Sequence, residues 1–310
     1  MGPFKDGPHY GDNVAFPVDM PKSSAPSTNE GFWTESQGTF TITDSVALRV
    51  YFDSKPRNMK IANLQKGMIL VLNGVEVVGE GTGFGVPILK YHDETVFSGS
   101  SFLNVCRNGS QVSIHKEFIM DMVARDGFRN LKLENRKIRS LIDQICILYQ
   151  KHKRLAQSIL LGKRLLFKFG VNSSFIKSPT KGKIVVTYTI NRNRLTIKLS
   201  FNLLNRNNLK KVYVMNEQGA QFFRIYSDSE GLRLADEEIG AWNHVTAQSA
   251  KISDYQDRIS FGLTNAQGSI LRRGREFMKE SLDWVGLDYE LSPERDLFEY
   301  EIEILGDSLK

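Results

Sequence analysis

A glycine-rich stretch between two apolar runs constrains the fold of this chain most. Within Val75–Tyr91, a β-branched run is followed by glycine at every second position (Gly79, Gly81, Gly83 and Gly85) and then by a second apolar run. In an extended backbone, successive side chains point to opposite faces. We therefore expect the four glycines to share one bare face, where a sheet, an aromatic ring or a ligand can approach the backbone closely.

This stretch does not fit the glycine-rich loops of nucleotide-binding folds. The G-x-G-x-x-G fingerprint needs a third glycine where this sequence has Phe84 or Val86, and Pro87 disfavours the helix that should follow. No G-K-[ST] follows, which excludes a P-loop. A structural strand, bulge or turn is the favoured interpretation, and a ligand-facing loop that includes Glu80 is the alternative.

Strand-like runs fill most of the chain between residues 38 and 305. Asn73-Gly74 lies between two apolar runs, which is a strong signal for a hairpin. Asn191–Arg194 is a polar turn between two further runs. Leu195–Phe201 and Leu297–Leu305 alternate between apolar and polar residues, so each should bury one face. The pattern predicts antiparallel strands joined by tight turns.

In one stretch, the spacing of the apolar residues changes from that of a strand to that of a helix. From Glu134 to Leu161 apolar residues recur at spacings of three and four, Asn135 can cap the start, and Gly162 follows the end. We expect one long α-helix over about residues 134–162, with its apolar stripe on a sheet. Basic residues lie mostly on its other side, as a solvated face or, alternatively, as a surface for polyanions: Arg136, Lys137, Arg139, Lys151, Lys153 and Arg154.

The chain divides into an arm and a body. Five of the nine prolines lie within the first 36 residues, so residues 1–37 are predicted to be an irregular arm that lies across the folded body. Residues 38–310 are predicted to form one mainly β body, a large antiparallel β-sandwich with the helix inserted and packed outside. The alternative is two β domains, residues 38–125 and 165–310, joined by the helix.

Composition narrows the classes of function. A charge of +6 on 310 residues, with a hydrophobic share of 41%, is compatible with an anionic partner without requiring one. Only two cysteines are present, which excludes a disulfide scaffold and favours a reducing compartment. No secretion signal or bilayer-length apolar run is visible, so we expect a cytoplasmic protein without a membrane partner. No cofactor motif occurs and no two histidines have metal-ligand spacing, so we expect neither cofactor nor metal, and the oligomeric state stays open.

A chain of this size, with many antiparallel strands and an alternating strand at Leu297–Leu305, resembles the large supersandwich of galactose-mutarotase-like proteins. The resemblance covers roughly residues 38–305 and rests on the strand pattern. It implies a supersandwich fold in a family of epimerases, lyases and non-catalytic sugar-binding relatives. The family's epimerases use a histidine acid and a glutamate base, but their usual histidine motif is absent from this sequence.

The segment Val212–His244 holds the densest group of candidate functional residues. Glu217 and His244 are candidates for a catalytic base and acid, and Trp242 offers an aromatic surface for a sugar ring. We expect these side chains, together with Arg224, to line a shallow cleft on the concave face of the sheet. Alternatively, Glu217 lies in a turn and Trp242 in the core. The ligand-binding candidates are Arg224, Tyr226, Trp242 and Glu80.

These observations predict a carbohydrate-binding or carbohydrate-modifying β-sandwich protein, and they leave open whether it is an enzyme. A non-catalytic structural or interaction protein is the first alternative. A nucleic-acid binder that uses the basic helix is the second, disfavoured because aromatic residues are not interleaved with the basic ones as stacking platforms.

Overall fold

The computed structural model describes residues 32–34, 38–43, 45–51, 65–77, 82–92, 94–108, 111–125, 174–240, 242–277 and 283–306. These residues form antiparallel strands and a 3-10 turn at Asp236–Ile239. The strands are β1 (Phe32–Thr34), β2 (Thr39–Thr43), β3 (Val46–Arg49), β4 (Ile69–Leu72), β5 (Val75–Glu76), β6 (Gly83–Tyr91), β7 (Thr95–Asn108), β8 (Gln111–Arg125), β9 (Ser174–Lys177), β10 (Gly182–Asn191), β11 (Arg194–Leu203), β12 (Leu209–Gly219), β13 (Phe223–Asp228), β14 (Arg233–Ala235), β15 (Asn243–His244), β16 (Ser249–Asp254), β17 (Ile259–Thr264), β18 (Ser269–Phe277), β19 (Asp283–Leu291) and β20 (Leu297–Gly306).

The strands form two sheets. Strands β1 to β5 make a five-stranded sheet in sequence order, and the others make a 15-stranded sheet of order β14-β13-β16-β17-β20-β11-β10-β8-β7-β6-β12-β19-β18-β15, with β9 beside β8. The large sheet folds over at β7, which pairs with β8 along its length but with β6 only at Leu89–Val96 and Lys90–Thr95. We name the strands from β14 to β8 the β20 half-sheet, and β6, β12, β19, β18 and β15 the β12 half-sheet.

The two half-sheets face each other across an aromatic core. Tyr188 of β10 donates a hydrogen bond to the carbonyl oxygen of Phe84 in β6, at 3.0 Å. Tyr300 of β20 donates to the Asn216 side-chain oxygen in β12, at 2.7 Å. The ring of Tyr289 in β19 packs edge-on against Tyr300, with centroids 4.9 Å apart. Interdigitating aromatic side chains between two sheets form the core of a β-sandwich, so the predicted antiparallel β-sandwich is confirmed.

Local sequence patterns specify the strand faces and two of the turns. Along β20, buried apolar side chains alternate with outward-facing glutamates, as the sequence predicted. Asn73 and Gly74 both adopt positive φ, 48° and 80°, in the turn between β4 and β5, which confirms the predicted hairpin. Arg192, with a φ of 55°, lies in the predicted turn between β10 and β11.

The predicted fold class is wrong in one respect. No α-helix packs on the sandwich within the described residues, so the long helix packed outside is corrected to an all-β core. A sheet face needs an apolar cover, and a second sheet can supply it as well as a helix. Here the five-stranded sheet adjoins the β12 half-sheet: the amide of Phe84 donates to the carbonyl oxygen of Met68 at 2.7 Å, and Gly219 donates to Val77. Residues 134–162 themselves lie outside the described residues.

Strands from both sides of residues 126–173 pair with one another. Strand β8 pairs with β10, and β6 pairs with β12. This pairing favours one body over two separate β domains, and the domain boundaries stay predictions. Of the predicted irregular arm, Phe32–Thr34 form the edge strand β1, and the rest lies outside the described residues. Among the described residues, no helix has the length and apolar character needed to cross a membrane.

Gly83 and Gly85 do not share a face, contrary to the expectation from the sequence. Both have positive φ, 77° and 76°, and the register between β6 and β12 shifts beside Gly85, which is a β-bulge. A Cβ on Gly85 would lie 3.1 Å from the Tyr188 ring in the facing half-sheet, whereas one on Gly83 would lie 2.7 Å from the Met68 carbonyl oxygen. The bulge therefore turns Gly83 and Gly85 toward different neighbours. Residues 79–81 lie outside the described residues.

We expect Gly83→Val to lower the free energy of unfolding by about 3 kcal/mol or more, because positive φ is strained for a β-branched residue and the new Cβ meets backbone. Gly231→Val is the matched control: its φ is 88°, but nothing lies within 4 Å of an added Cβ. It should cost only the backbone strain, about 1–2 kcal/mol. Urea unfolding of both variants checks this, and equal losses would contradict the steric argument.

Candidate functional site

The outer face of the β12 half-sheet gathers polar and aromatic side chains. The register places Tyr213 opposite Glu290, and Arg272 opposite both Asp288 and His244. Directly paired residues in an antiparallel sheet point to the same face. We name this group the Arg272 cluster; its members are Tyr213, Trp242, His244, Arg272, Asp288 and Glu290.

Arg272 is held between two aromatic rings and two carboxylates. Its guanidinium carbon lies 4.7 Å from the centroid of the Tyr213 ring and 5.6 Å from that of Trp242. Its Nε lies 3.3 Å from Asp288, and its Nη1 lies 3.4 Å from Glu290. The side chain is only 12% exposed. A planar guanidinium that is stacked and ion-paired at once has little freedom to move.

The two carboxylates of the cluster differ in their surroundings. Asp288 is fully buried, and a buried carboxylate is costly unless it is paired, so the neighbouring Arg272 stabilises it. Glu290 also binds Lys211, whose amino group lies 2.6 Å away. That hydrogen bond raises the pKa of Lys211 above its ordinary value. The ion pairs therefore hold the charged groups of the cluster in fixed positions.

Trp242 lies on the backbone of a neighbouring strand. A Cβ on Gly274 of β18 would lie 2.5 Å from the Trp242 ring, so only glycine leaves room for the ring there. Trp242 has a φ of 43° and is partly exposed. A bulky residue with positive φ carries roughly 1–3 kcal/mol of strain, and such strain is frequent at binding sites. The ring is thus held against Gly274, partly buried and packed against the hydrophobic core.

Glu217 lies on the same outer face but outside the cluster. Its register partner on β19 is Gly286. Its carboxylate accepts a hydrogen bond from the Thr82 hydroxyl at 2.9 Å, and the residue is only 3% exposed. Three strand spacings, about 14 Å, separate the backbone of Glu217 on β12 from that of His244 on β15. Their predicted acid–base partnership stays a prediction, and Glu80 lies outside the described residues.

Arg224 and Tyr226 lie on β13 of the other half-sheet. Arg224 binds Asp236 through two nitrogens, at 2.7 and 2.8 Å. Tyr226 is fully buried, and its hydroxyl donates to Asp228 at 2.7 Å. Burial, with the Asp228 carboxylate, raises the pKa of Tyr226. The structure does not bring these two residues into the Arg272 cluster, and their ligand-binding roles stay predictions.

Four members of the cluster were not predicted from the sequence: Tyr213, Arg272, Asp288 and Glu290. The alternation Asp288-Tyr289-Glu290 was a usable signal, because it puts two carboxylates on one strand face. Nothing local indicates that Arg272 pairs with them, since that depends on the register between strands. Within the ranges given above, no three His, Cys, Asp or Glu side chains come together as a metal-ligand set.

No protein-family model and no curated protein matches this sequence. Among solved structures, the chain is similar to the α-N-acetylgalactosaminidase NagBb from Bifidobacterium bifidum in its GalNAc complex, with a TM-score of 0.44 and 9% sequence identity. The alignment covers 86% of this chain but only 36% of that enzyme's chain. A similarity at this TM-score carries no argument about function, and the galactose-mutarotase-like resemblance stays a prediction.

Proposed function

We propose that this protein binds carbohydrate on the face formed by the Arg272 cluster. The observation that carries the proposal is Arg272 itself, stacked between Tyr213 and Trp242 and ion-paired to Asp288 and Glu290. Sugar-binding sites combine an aromatic surface for the apolar side of the ring with fixed polar groups for the hydroxyls. The Arg272 cluster supplies an aromatic surface and fixed polar groups side by side on one face of the sheet.

The accessible members of the face have distinct proposed roles. The partly exposed ring of Trp242 stacks on the pyranose, and the exposed imidazole of His244 bonds a hydroxyl at the rim. Lys211, about half exposed, offers a further donor next to Glu290. Because Arg272 is already held by its neighbours, little side-chain entropy remains to be lost on binding.

We propose binding and not bond cleavage at this face. Asp288 is fully buried and Glu217 is 3% exposed, so neither carboxylate is presented to a ligand at the surface. Two cooperating carboxyl groups in glycoside hydrolysis lie about 5–9.5 Å apart with the scissile bond between them. Glu290, the remaining carboxylate of the cluster, is 11% exposed and is bound by Lys211 and Arg272. His244 is exposed, and Trp242 is partly exposed.

We expect Trp242→Ala to weaken glycan binding at least roughly 30-fold, since a stacking tryptophan at the centre of a site often contributes 2 kcal/mol or more. The stability loss should stay below the about 3–5 kcal/mol of a core tryptophan, because the ring is partly exposed. A glycan array followed by calorimetric titration of the best ligand measures the first effect, and thermal unfolding the second.

Tyr255→Ala is the matched control for this variant. Tyr255 is also an exposed aromatic residue beside an arginine, with Arg224 at 5.6 Å from its ring, but it lies between β16 and β17. It should bind glycans like the wild type. His244→Ala tests the same face without disturbing packing and should weaken binding with stability unchanged. Wild-type affinity in both Trp242→Ala and His244→Ala, or no glycan binding at millimolar concentration, would refute the proposal.

A further inference from the structure

The outer face of the β20 half-sheet carries a cleft of about 380 Å³ that the Arg272 cluster does not use. The register places Lys251 of β16, Gly262 of β17 and Glu303 of β20 in one row across it. Ser227 of β13 and Arg194 of β11 continue the row at its two ends. All five residues line the cleft. Its volume is at the lower end of the range for small-molecule sites, which suits one ring-sized ligand.

Gly262 leaves the middle of this row without a side chain. A Cβ there would lie 3.3 Å from the carbonyl oxygen of Ala250, which is a close approach. Two strand spacings, about 10 Å, separate the backbones of Lys251 and Glu303. A six-membered ring can therefore lie over Gly262 with polar groups at both sides.

The two cationic side chains of the row differ in their ion pairs. Arg194 is shared by Glu303, at 3.5 Å, and Glu301, at 4.0 Å. Within the part of the chain that the structure describes, the Lys251 amino group has neither an ion pair nor a hydrogen bond. It interacts electrostatically with Asp257, but Arg233 already binds that carboxylate at 2.7 Å. One side of the cleft therefore has a cation available to an anionic ligand.

A hydroxyl next to Lys251 is also unsatisfied. The Ser227 oxygen is buried and has no hydrogen-bond partner among the described residues. A buried hydroxyl without a partner is unfavourable, and such a group in a cleft wall can find its partner in a ligand. Ser227 is the direct register partner of Lys251 and lines the cleft. A rotation about its χ1 angle would bring the hydroxyl to a carboxylate that Lys251 binds.

We propose that this cleft binds a single sugar acid of the hexuronate class. The carboxylate lies on Lys251 and Ser227, and the ring hydroxyls lie on Glu303 and Arg194. None of the described residues that line the cleft is aromatic, so stacking does not contribute and the acidic group carries much of the affinity. The site is separate from the Arg272 cluster and does not rest on the function proposed for it.

Titration of the full chain with sodium galacturonate and with galactose, followed by calorimetry or NMR, tests the proposal. We expect galacturonate to bind more tightly than galactose and to bind less tightly as salt is raised. Lys251→Met should weaken galacturonate binding roughly tenfold or more, because a charge-assisted hydrogen bond is lost. Ser227→Ala should also weaken binding, while its melting temperature stays the same or rises, because an unsatisfied hydroxyl is removed.

Lys198→Met is the matched control. Lys198 lies on the same outer face and pairs with Glu299 at 3.7 Å, outside the cleft. It should bind galacturonate like the wild type, so a loss seen in Lys251→Met alone is assigned to this cleft and not to a general change of surface charge. Equal affinity for galactose and galacturonate, unchanged binding by Lys251→Met, or no binding of galacturonate would each overturn the proposal.

Discussion

Raising the pH from 7 to 9 is expected to stabilise this protein, and replacing Lys116 with methionine is expected to abolish that gain. Lys116 lies on β8. Its fully buried side chain points into the core from the same strand face as Ile114 and Phe118. Its amino group donates to the carbonyl oxygen of Lys66, a second fully buried lysine. Burial, together with the smaller effect of the nearby Lys66 charge, lowers the pKa of Lys116 to about 7.

The direction of this pH dependence follows from the number of protons bound by the folded and the unfolded protein. Unfolded lysine has a pKa of about 10.4, so between pH 7 and 9 the unfolded chain holds a proton that the folded protein has released. Stability therefore rises with pH, by roughly 2–3 kcal/mol over this range, and becomes constant below pH 7. Burial raises the pKa of Tyr188, which lowers stability as the pH passes about 10, so measurements should end near pH 9.

Lys116→Met should be more stable than the wild type at pH 7, by roughly 2–4 kcal/mol, because an apolar side chain of similar length replaces an amine with a high desolvation cost. Its stability should not change between pH 7 and 9. Lys183→Met is the matched control, since Lys183 is half exposed and pairs with Glu117 at 2.9 Å; its effect should stay below about 1 kcal/mol. Urea unfolding at several pH values measures both. A destabilised Lys116→Met would show that the buried amine contributes favourably.

Asp236→Asn is expected to lower the free energy of unfolding by about 2–4 kcal/mol. Asp236 binds Arg224 of the β20 half-sheet and Arg275 of the β12 half-sheet, each at 2.7 Å. It thus ties the two half-sheets together at their open edge. The Arg275 side chain is only 8% exposed, and removing the partner of a buried charge is strongly unfavourable. The partial exposure of Arg224 and Asp236 reduces the expected loss.

The ion pairs of Asp236 also make the stability of the protein depend on pH in the acidic range. The hydrogen bond from Arg224, supported by Arg275, lowers the pKa of Asp236. Stability from this group is therefore present above the unfolded pKa, about 3.9, and is lost as the pH falls through the lower folded pKa. Asp236→Asn should remove this part of the acid sensitivity.

Asp257→Asn is the matched control for Asp236→Asn. Both aspartates have positive φ, 47° for Asp236 and 54° for Asp257, which asparagine tolerates. The pair of Asp257 with Arg233 is about half exposed, and exposed pairs contribute about 0–1 kcal/mol. Chemical unfolding near neutral pH compares the two variants. Similar losses in both would contradict the tying role of Asp236.

The Arg272 cluster contains only two of the six site residues that the sequence suggested. Trp242 and His244 were identified because their residue types suit sugar binding, and the structure places both on one face. Arg224 and Tyr226 were chosen for the same reason but belong to the other half-sheet. Proximity along the chain was a poor guide to proximity in space, because strand β14 and a 3-10 segment separate β13 from β15.

Local sequence patterns are enough to predict the β class, the inward and outward faces of strands such as β20, and the Asn73-Gly74 hairpin. These features are local, because side-chain direction repeats every two residues and turn type depends on two residues. The helix expected outside the sandwich was wrong for the fold as described, since apolar periodicity does not specify what covers a sheet.

Which side chains of neighbouring strands contact one another depends on the pairing of strands in the folded protein. Arg272 contacts Tyr213 and Glu290 because β18, β19 and β12 pair in one register, and Lys251 and Glu303 are on either side of Gly262 for the same reason. A slip of one residue would turn every side chain to the other face. Register is therefore specified by the packing of whole strands that are distant in the chain, and this information is not contained in any short segment.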